Sequence, residues 1–249
     1  MNRPQAHIVV QPTAAMAAQH LVEHIISIAQ QATAQASSCS IALSGGTTPR
    51  EAYRLLATQP LSEQVPWDKM EVFFGDERDV SPDNVENNYR MASNLLLDHV
   101  PVPLSHVHPM PTDASDMNAA ARQYEELIRR LVPARDGDLP SFDVILLGMG
   151  GEGHTASLFP ETPAVCNHEQ LVVSHFVPVI GRNRMTFTFP LINAARNVIF
   201  FVTGADKAKA VAAVLSDMEA RYAMPAAHVA PRHGQLFFYL DAEAARLLH

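Results

Sequence analysis

Two runs of the chain constrain its fold most: FDVILL at 142–147 and NVIFFV at 197–202. Each is apolar at nearly every position and ends where a glycine-bearing polar segment begins. A strand with one wet face alternates apolar and polar residues; an unbroken apolar run is a strand buried on both faces, as in a parallel sheet. Other strand candidates lie at 7–10, 40–43, 71–74, 171–177, 185–189 (where MTFTF alternates with period two) and 236–240. Between them stand segments with helical spacing at 13–35, 48–58, 84–100, 116–132, 206–216 and 242–248. Strands alternating with helices predict an α/β fold, a doubly wound, mostly parallel sheet with helices on both faces.

The length of 249 residues allows one large domain or two small ones. There is no internal repeat and no low-complexity stretch. The Pro/His/Met-rich segment 101–111 suits a connection across the molecule better than a flexible linker, so a single domain over 1–249 is expected. A net charge of −8 repels nucleic acid and anionic membranes, and leaves a small anionic substrate to be held by a few local cations and amides. No apolar run reaches the roughly 18 residues of a membrane span. Residues 1–11 lack the marks of a secretory signal, so a cytoplasmic protein is expected. Cys39 and Cys166 are too few and too isolated for a disulfide framework.

In doubly wound sheets, ligands bind beyond the carboxyl ends of the strands. Polar segments stand at just those places. In LSGGTTP at 43–49, Gly45 and Gly46 allow a tight turn at a strand end. Ser44, Thr47 and the N–H groups of the following helix then make an anion cradle suited to phosphate. No Gly-Lys-Ser/Thr follows, so it is not a P-loop. The same residues are one substitution from a G-x-S-x-G nucleophile elbow, but the oxyanion-hole loop and the Asp-then-His order are not recognisable.

In GDER at 75–78, Arg78 can hold an anion by a bidentate contact, while Asp76 and Glu77 can fix that arginine or act as acid and base. Asn87, Asn88 and Tyr89 follow at the same rim. In GMGGEGHTASLFP at 148–160, Gly148, Gly150 and Gly153 fit the dinucleotide pattern G-x-G-x-x-G. That pattern needs a helix of several turns next, and Pro160 and Pro163 leave room for about two. The alternative places His154 at the first turn of a short helix, where the dipole disfavours imidazolium and suits a general base. Glu152 is then placed to accept the other ring N–H. Arg184, and Lys207 just past Gly204, are two further cations at strand ends. His106 and His108 form an H-x-H pair without a third or fourth ligand at suitable spacing, and are expected to be loop residues.

Taken in order, LSGGTTP, FFGDER at 73–78, LGMGGEGHTASLFP at 147–160, RMTFTFPLIN at 184–193 and VTGADKA at 202–208 resemble the 6-phosphogluconolactonase family. The resemblance runs from about residue 40 to residue 215. It implies a Rossmann-like fold shared with glucosamine-6-phosphate deaminases. It implies hydrolysis of 6-phospho-D-glucono-1,5-lactone in the oxidative pentose phosphate pathway, without a metal or organic cofactor. By the same resemblance His154 activates water, while Thr47 with its loop, Arg184 and Lys207 hold the phosphate. Arg78 then lies near the lactone or phosphate. A small phosphorylated sugar lactone is the partner implied, with the chain acting as a monomer or weak homodimer.

One position departs from the pattern. The family usually has Asp before the Gly-His pair, and this chain has Glu152. Two other functions fit the same fold. A hexosamine-phosphate deaminase would use Asp76 as its acid, but that relative carries Glu-Pro after its histidine segment, where this chain has Leu158, Phe159 and Pro160. A non-catalytic sugar-phosphate sensor would bind without turnover.

Overall fold

The computed structural model describes residues 5–135, 139–216 and 223–248. In chain order its strands are β1 (His7–Gln11), β2 (Cys39–Leu43), β3 (Met70–Phe74), β4 (Asp76–Arg78), β5 (Val144–Leu147), β6 (Val172–Val177), β7 (Arg182–Phe187), β8 (Asn197–Val202) and β9 (Gln235–Asp241). The helices are α1 (Ala14–Gln35), α2 (Pro49–Leu56), α3 (Asn88–Leu95), α4 (Met117–Leu131), α5 (Phe189–Ile192), α6 (Ala208–Leu215) and α7 (Ala242–Ala245). Six strands form one parallel sheet in the order β1-β9-β8-β5-β2-β3. Every residue of β5, and every residue of β8 after Asn197, is buried. Successive strand side chains point to opposite faces, so both faces of the sheet are covered, as the unbroken apolar runs require.

α1 begins at Thr13, whose side chain accepts from the Met16 N–H, a standard N-cap. Its inward stripe of Leu21, Val22, Ile25, Ile26 and Ala29 is buried in the core. The edge strand β3 is tied down by Tyr124 of α4, whose hydroxyl donates to the His108 carbonyl and accepts from the Phe74 N–H. The 101–111 segment runs along this edge, where the His108 N–H donates to the Val72 carbonyl. His108 also holds Glu71 through Nε2 at 2.6 Å. Among the described residues, no helix is long and apolar enough to cross a membrane.

Away from the glycine loop after β5, the structure departs from the sequence-based expectation in four places. β6 and β7 do not join the large sheet; with β4 they form a separate antiparallel sheet in the order β4-β7-β6. GDER is therefore itself a strand, turned off the end of β3 at Gly75, and not a loop. The helix expected over 84–100 is only α3, preceded by turns and followed by a 3₁₀ turn at Leu97–His99. The strand expected over 185–189 gives way at Phe189 to α5, whose second residue is a proline.

Candidate active site

The carboxyl ends of β2, β3, β5 and β8 open on a cavity of about 240 Å³. Ser44, Gly45, Gly46, Thr47, Arg78, His154, Arg184 and Lys207 all line it. Glu152 does not; it stands behind His154.

The β2 loop is shaped by Tyr53, one turn into α2. Its buried hydroxyl donates to the Ser44 carbonyl at 2.7 Å and accepts from the Ser44 N–H at 3.0 Å. Both polar backbone groups at the strand end are thereby satisfied, and the chain turns sharply into Gly46, at φ +91°. A Cβ at Gly45 would lie 2.0 Å from Asn88 Oδ1, so that position has no room for a side chain. Thr48 sits at the N-cap of α2 without a side-chain capping bond; Pro49 carries no N–H and the Arg50 N–H donates to the Thr47 carbonyl at 3.3 Å, so it is the amides of the loop itself that face the cavity.

The antiparallel sheet supplies cations by cross-strand register. Arg78 of β4 lies opposite Arg184 of β7, which lies opposite His175 of β6. Like charges placed directly opposite are destabilising, so an anion between them is the natural complement. Burial, and then the neighbouring Arg78 and Arg182, lower the Arg184 pKa, against the pull of Asp76. Burial also lowers the His175 pKa, favouring the neutral ring. The His175 Nε2 lies 2.9 Å from the Ser157 carbonyl.

Asp76 and Glu77, adjacent in GDER, point to opposite sides of β4. Asp76 faces the cavity and accepts the Ser157 hydroxyl at 2.7 Å. Glu77 is fully buried and accepts the backbone N–H groups of Arg78, Asn88 and Tyr89 at 2.8 to 2.9 Å. Asn88 and Tyr89 open α3, so Glu77 caps that helix from another strand and fixes Asn88 beside the cavity. Burial pushes its carboxyl up to about 7, against the downward pull of the three N–H donors.

After β5 the chain turns back on itself. The Gly150 N–H donates to the His154 carbonyl at 2.9 Å and the Gly153 N–H to the Gly150 carbonyl at 3.0 Å. Residues 151–160 form turns closed by the Thr155–Leu158 bridge, and no helix begins at His154. The expected helix-dipole effect on His154 therefore has no structural basis. The long helix required for dinucleotide binding is absent too, which removes that alternative.

What orients His154 is local. Its Nδ1 lies 2.8 Å from Glu152 Oε1. A carboxylate only accepts, so Nδ1 carries the proton and Nε2 of the neutral ring is left as the acceptor. Burial raises the Glu152 pKa, but its own backbone N–H, His154 and Lys207 outweigh this, so the group is held below its ordinary value and stays ionised. The Phe159 ring stacks on the imidazole at 4.0 Å between centroids. A Cβ at Gly150 would come within 2.1 Å of His154 Nδ1 and 2.7 Å of Glu152 Oε2, so this glycine makes space for the pair. Lys207 stands at the start of α6, with Nζ 3.1 Å from Asp206 Oδ2.

Tyr53 and His175 complete the surroundings and escape a sequence-only search, whereas Asn88, Ser157 and Phe159 lie in segments that the sequence singles out without giving them a role of their own. Asn88 donates through Nδ2 to the Asp76 carbonyl, while its buried Oδ1 has no protein partner and the residue lines the cavity.

Known proteins resemble this chain in sequence and in fold. The family model for glucosamine-6-phosphate isomerases/6-phosphogluconolactonase matches residues 12–238. A 6-phosphogluconolactonase from Synechocystis is 43% identical over 218 residues, covering 88% of each chain. The solved structure of 6-phosphogluconolactonase from Trypanosoma brucei superposes with a TM-score of 0.87 at 31% identity, covering 98% of this chain and 99% of that one. A monomeric glucosamine-6-phosphate deaminase superposes with a TM-score of 0.80 at 19% identity over 97% of this chain and 99% of its own, a likeness of fold alone. The chain thus belongs to the glucosamine-6-phosphate isomerase/6-phosphogluconolactonase family.

Proposed function

We propose that this chain hydrolyses 6-phospho-D-glucono-1,5-lactone to 6-phospho-D-gluconate, the second step of the oxidative pentose phosphate pathway. The observation that carries the proposal is the His154–Glu152 pair, with one ring nitrogen free, on the same cavity as an uncapped amide loop and two cross-strand arginines. One end of the site suits a phosphate and the other suits activation of water.

The phosphate docks on Ser44, Gly45, Gly46 and Thr47 of the β2 loop, with Arg184 and Lys207 as cations. Binding energy from this remote group orients the lactone carbonyl towards His154, an effect worth several kcal/mol. His154 Nε2 takes a proton from water, and the hydroxide adds to C1. Arg78 and the N–H groups of the glycine loop stabilise the tetrahedral oxyanion. Collapse breaks the bond between C1 and the ring oxygen. That oxygen takes the proton back from His154 as the C5 hydroxyl, and the new carboxylic acid ionises. Glu152 holds the ring in the required tautomer and balances the imidazolium while it exists.

All these groups come from one chain, so we propose that a monomer suffices, with any homodimer weak, and that residues 1–249 act as one domain. Two free cysteines, Cys39 buried and Cys166 exposed, fit the cytoplasm as its location. The test is a paired assay: lactone hydrolysis above the spontaneous background, and ammonia release from glucosamine 6-phosphate. Hydrolysis without ammonia is expected; ammonia release would move the chain to the deaminase branch, with Asp76 as acid, and phosphate binding without either turnover would make it a sensor.

A further inference from the structure

At the opposite end of the parallel sheet, where β8 and β9 begin, the chain encloses a second polar cavity of about 430 Å³. Arg135, Arg196, His24, His233, Gln31 and Asn197 line it. The intervening strands are six and seven residues long, so roughly 20 Å separate the two cavities.

The cavity is organised around Asp143, which is buried. Its Oδ2 accepts the Ser40 N–H at 2.9 Å and the Ser40 hydroxyl at 3.2 Å. Its Oδ1 takes Arg135 Nη2 at 3.1 Å and Arg196 Nη1 at 3.2 Å. One carboxylate oxygen thus serves two guanidinium groups. Each guanidinium carries five N–H donors, so most of both forks remains for something else. Two cations against one carboxylate also leave a local positive charge on a chain whose net charge is −8.

The backbone holds Arg196 firmly. Its N–H donates to the Phe142 carbonyl at 2.8 Å, and its carbonyl accepts the Gln235 N–H at 2.7 Å. Gly234 packs so closely on this stretch that a Cβ there would lie 2.1 Å from the Ala195 carbonyl oxygen. Arginine and imidazole groups therefore converge from four separate stretches of chain on one space, while the lining amides are already engaged, Asn197 donating to the Asp143 carbonyl at 2.9 Å and Gln31 to the Ser27 hydroxyl at 3.0 Å.

We infer that this cavity is a second anion site, distinct from the catalytic one, that binds a phosphate group, free or as a compact phosphomonoester. Two arginine forks already joined through one carboxylate oxygen suit a group with three terminal oxygens better than a flat carboxylate with two. Asp136 and Asp138, which follow Arg135 in the chain, lie outside the described residues; the full chain used in the test carries them.

The test is calorimetric titration of the full chain at low salt, with inorganic phosphate in one arm and glycerol 3-phosphate in the other. Two sites per chain are expected. Arg196→Gln leaves Arg135 to pair with Asp143, and His233→Glu places a negative charge at the exposed rim without touching that pair. Each variant should weaken one site roughly tenfold or more and leave lactone hydrolysis unchanged, while Lys207→Ala weakens the other site. Tight binding in the phosphate arm alone identifies a free-phosphate site; equal binding in both arms identifies a phosphomonoester site. Two undiminished sites in both variants would overturn the inference, as would a single wild-type site that Lys207→Ala removes.

Discussion

The two halves of the active-site cavity are held in opposite ways. The half proposed for the phosphate rests on buried, hydrogen-bonded groups. Tyr53 satisfies both backbone groups of Ser44, and Glu77, 0% exposed, accepts three N–H groups while capping α3. The half proposed for hydrolysis rests on a partly open pair, His154 and Glu152, with side chains 27% and 48% exposed. In the proposed reaction, phosphate binding is done by the amides of the β2 loop with Arg184 and Lys207, so it needs a rigid frame. Proton transfer in the same proposal is done by one side chain that must accept and return a proton, so it needs one orienting partner and open access to water.

The contrast can be broken from either side. After His154 itself, the largest effect is expected at Gly150. Gly150→Ala drives a methyl group into the space of the His154–Glu152 pair, and kcat should fall roughly 10²-fold, the usual result of misplacing a reacting group by about 1 Å. Global stability should change far less. A kcat within threefold of wild type would show that the pair does not need its observed geometry.

Next comes Glu77, whose carboxyl is raised from an ordinary 4.5 to about 7. Between those values the folded chain keeps a proton that the unfolded chain has released. The resulting stabilisation is complete below about 4.5 and is lost as pH rises through about 7; it amounts to at most about 3 kcal/mol. Urea unfolding of wild type and of Glu77→Gln, which cannot titrate, should therefore give a difference that shifts against wild type between pH 5 and pH 8. A flat difference would mean that Glu77 is ionised throughout.

Tyr53→Phe is the mildest. It leaves the Ser44 N–H and carbonyl buried without their partner, at about 2 kcal/mol of stability. KM should rise more than kcat falls, because in the proposed reaction the loop holds the phosphate and reaches the reacting carbon only through its orientation. A fall in kcat alone would assign the loop to chemistry.

Much of this was legible in the sequence, for identifiable reasons. The parallel sheet announced itself in the unbroken runs of β5 and β8, since only burial on both faces tolerates them. His154 and Glu152 lie two residues apart, so their contact needed only a tight turn, and the glycines signalled one. What required long-range pairing was hidden. The antiparallel sheet joins three-residue β4 to β7 across more than a hundred positions, and β4 follows β3 with only Gly75 between. Nothing local says that Arg78 and Arg184 face each other. Glu77 reads like its neighbour Asp76 until the pleat of β4 sends one inward and the other to the cavity. The helix expected at His154 failed because HTAS can also close a turn, here with Ala156 at φ 47° and a bridge from Thr155 to Leu158.

The central claim is that His154, oriented by Glu152, is the base that activates water. Its most direct test is steady-state lactone hydrolysis by His154→Ala beside wild type, each corrected for spontaneous opening of the lactone. A loss of about 10²–10⁴-fold in kcat, with little change in KM, is predicted for removal of a general base. A variant within threefold of wild type would contradict the account.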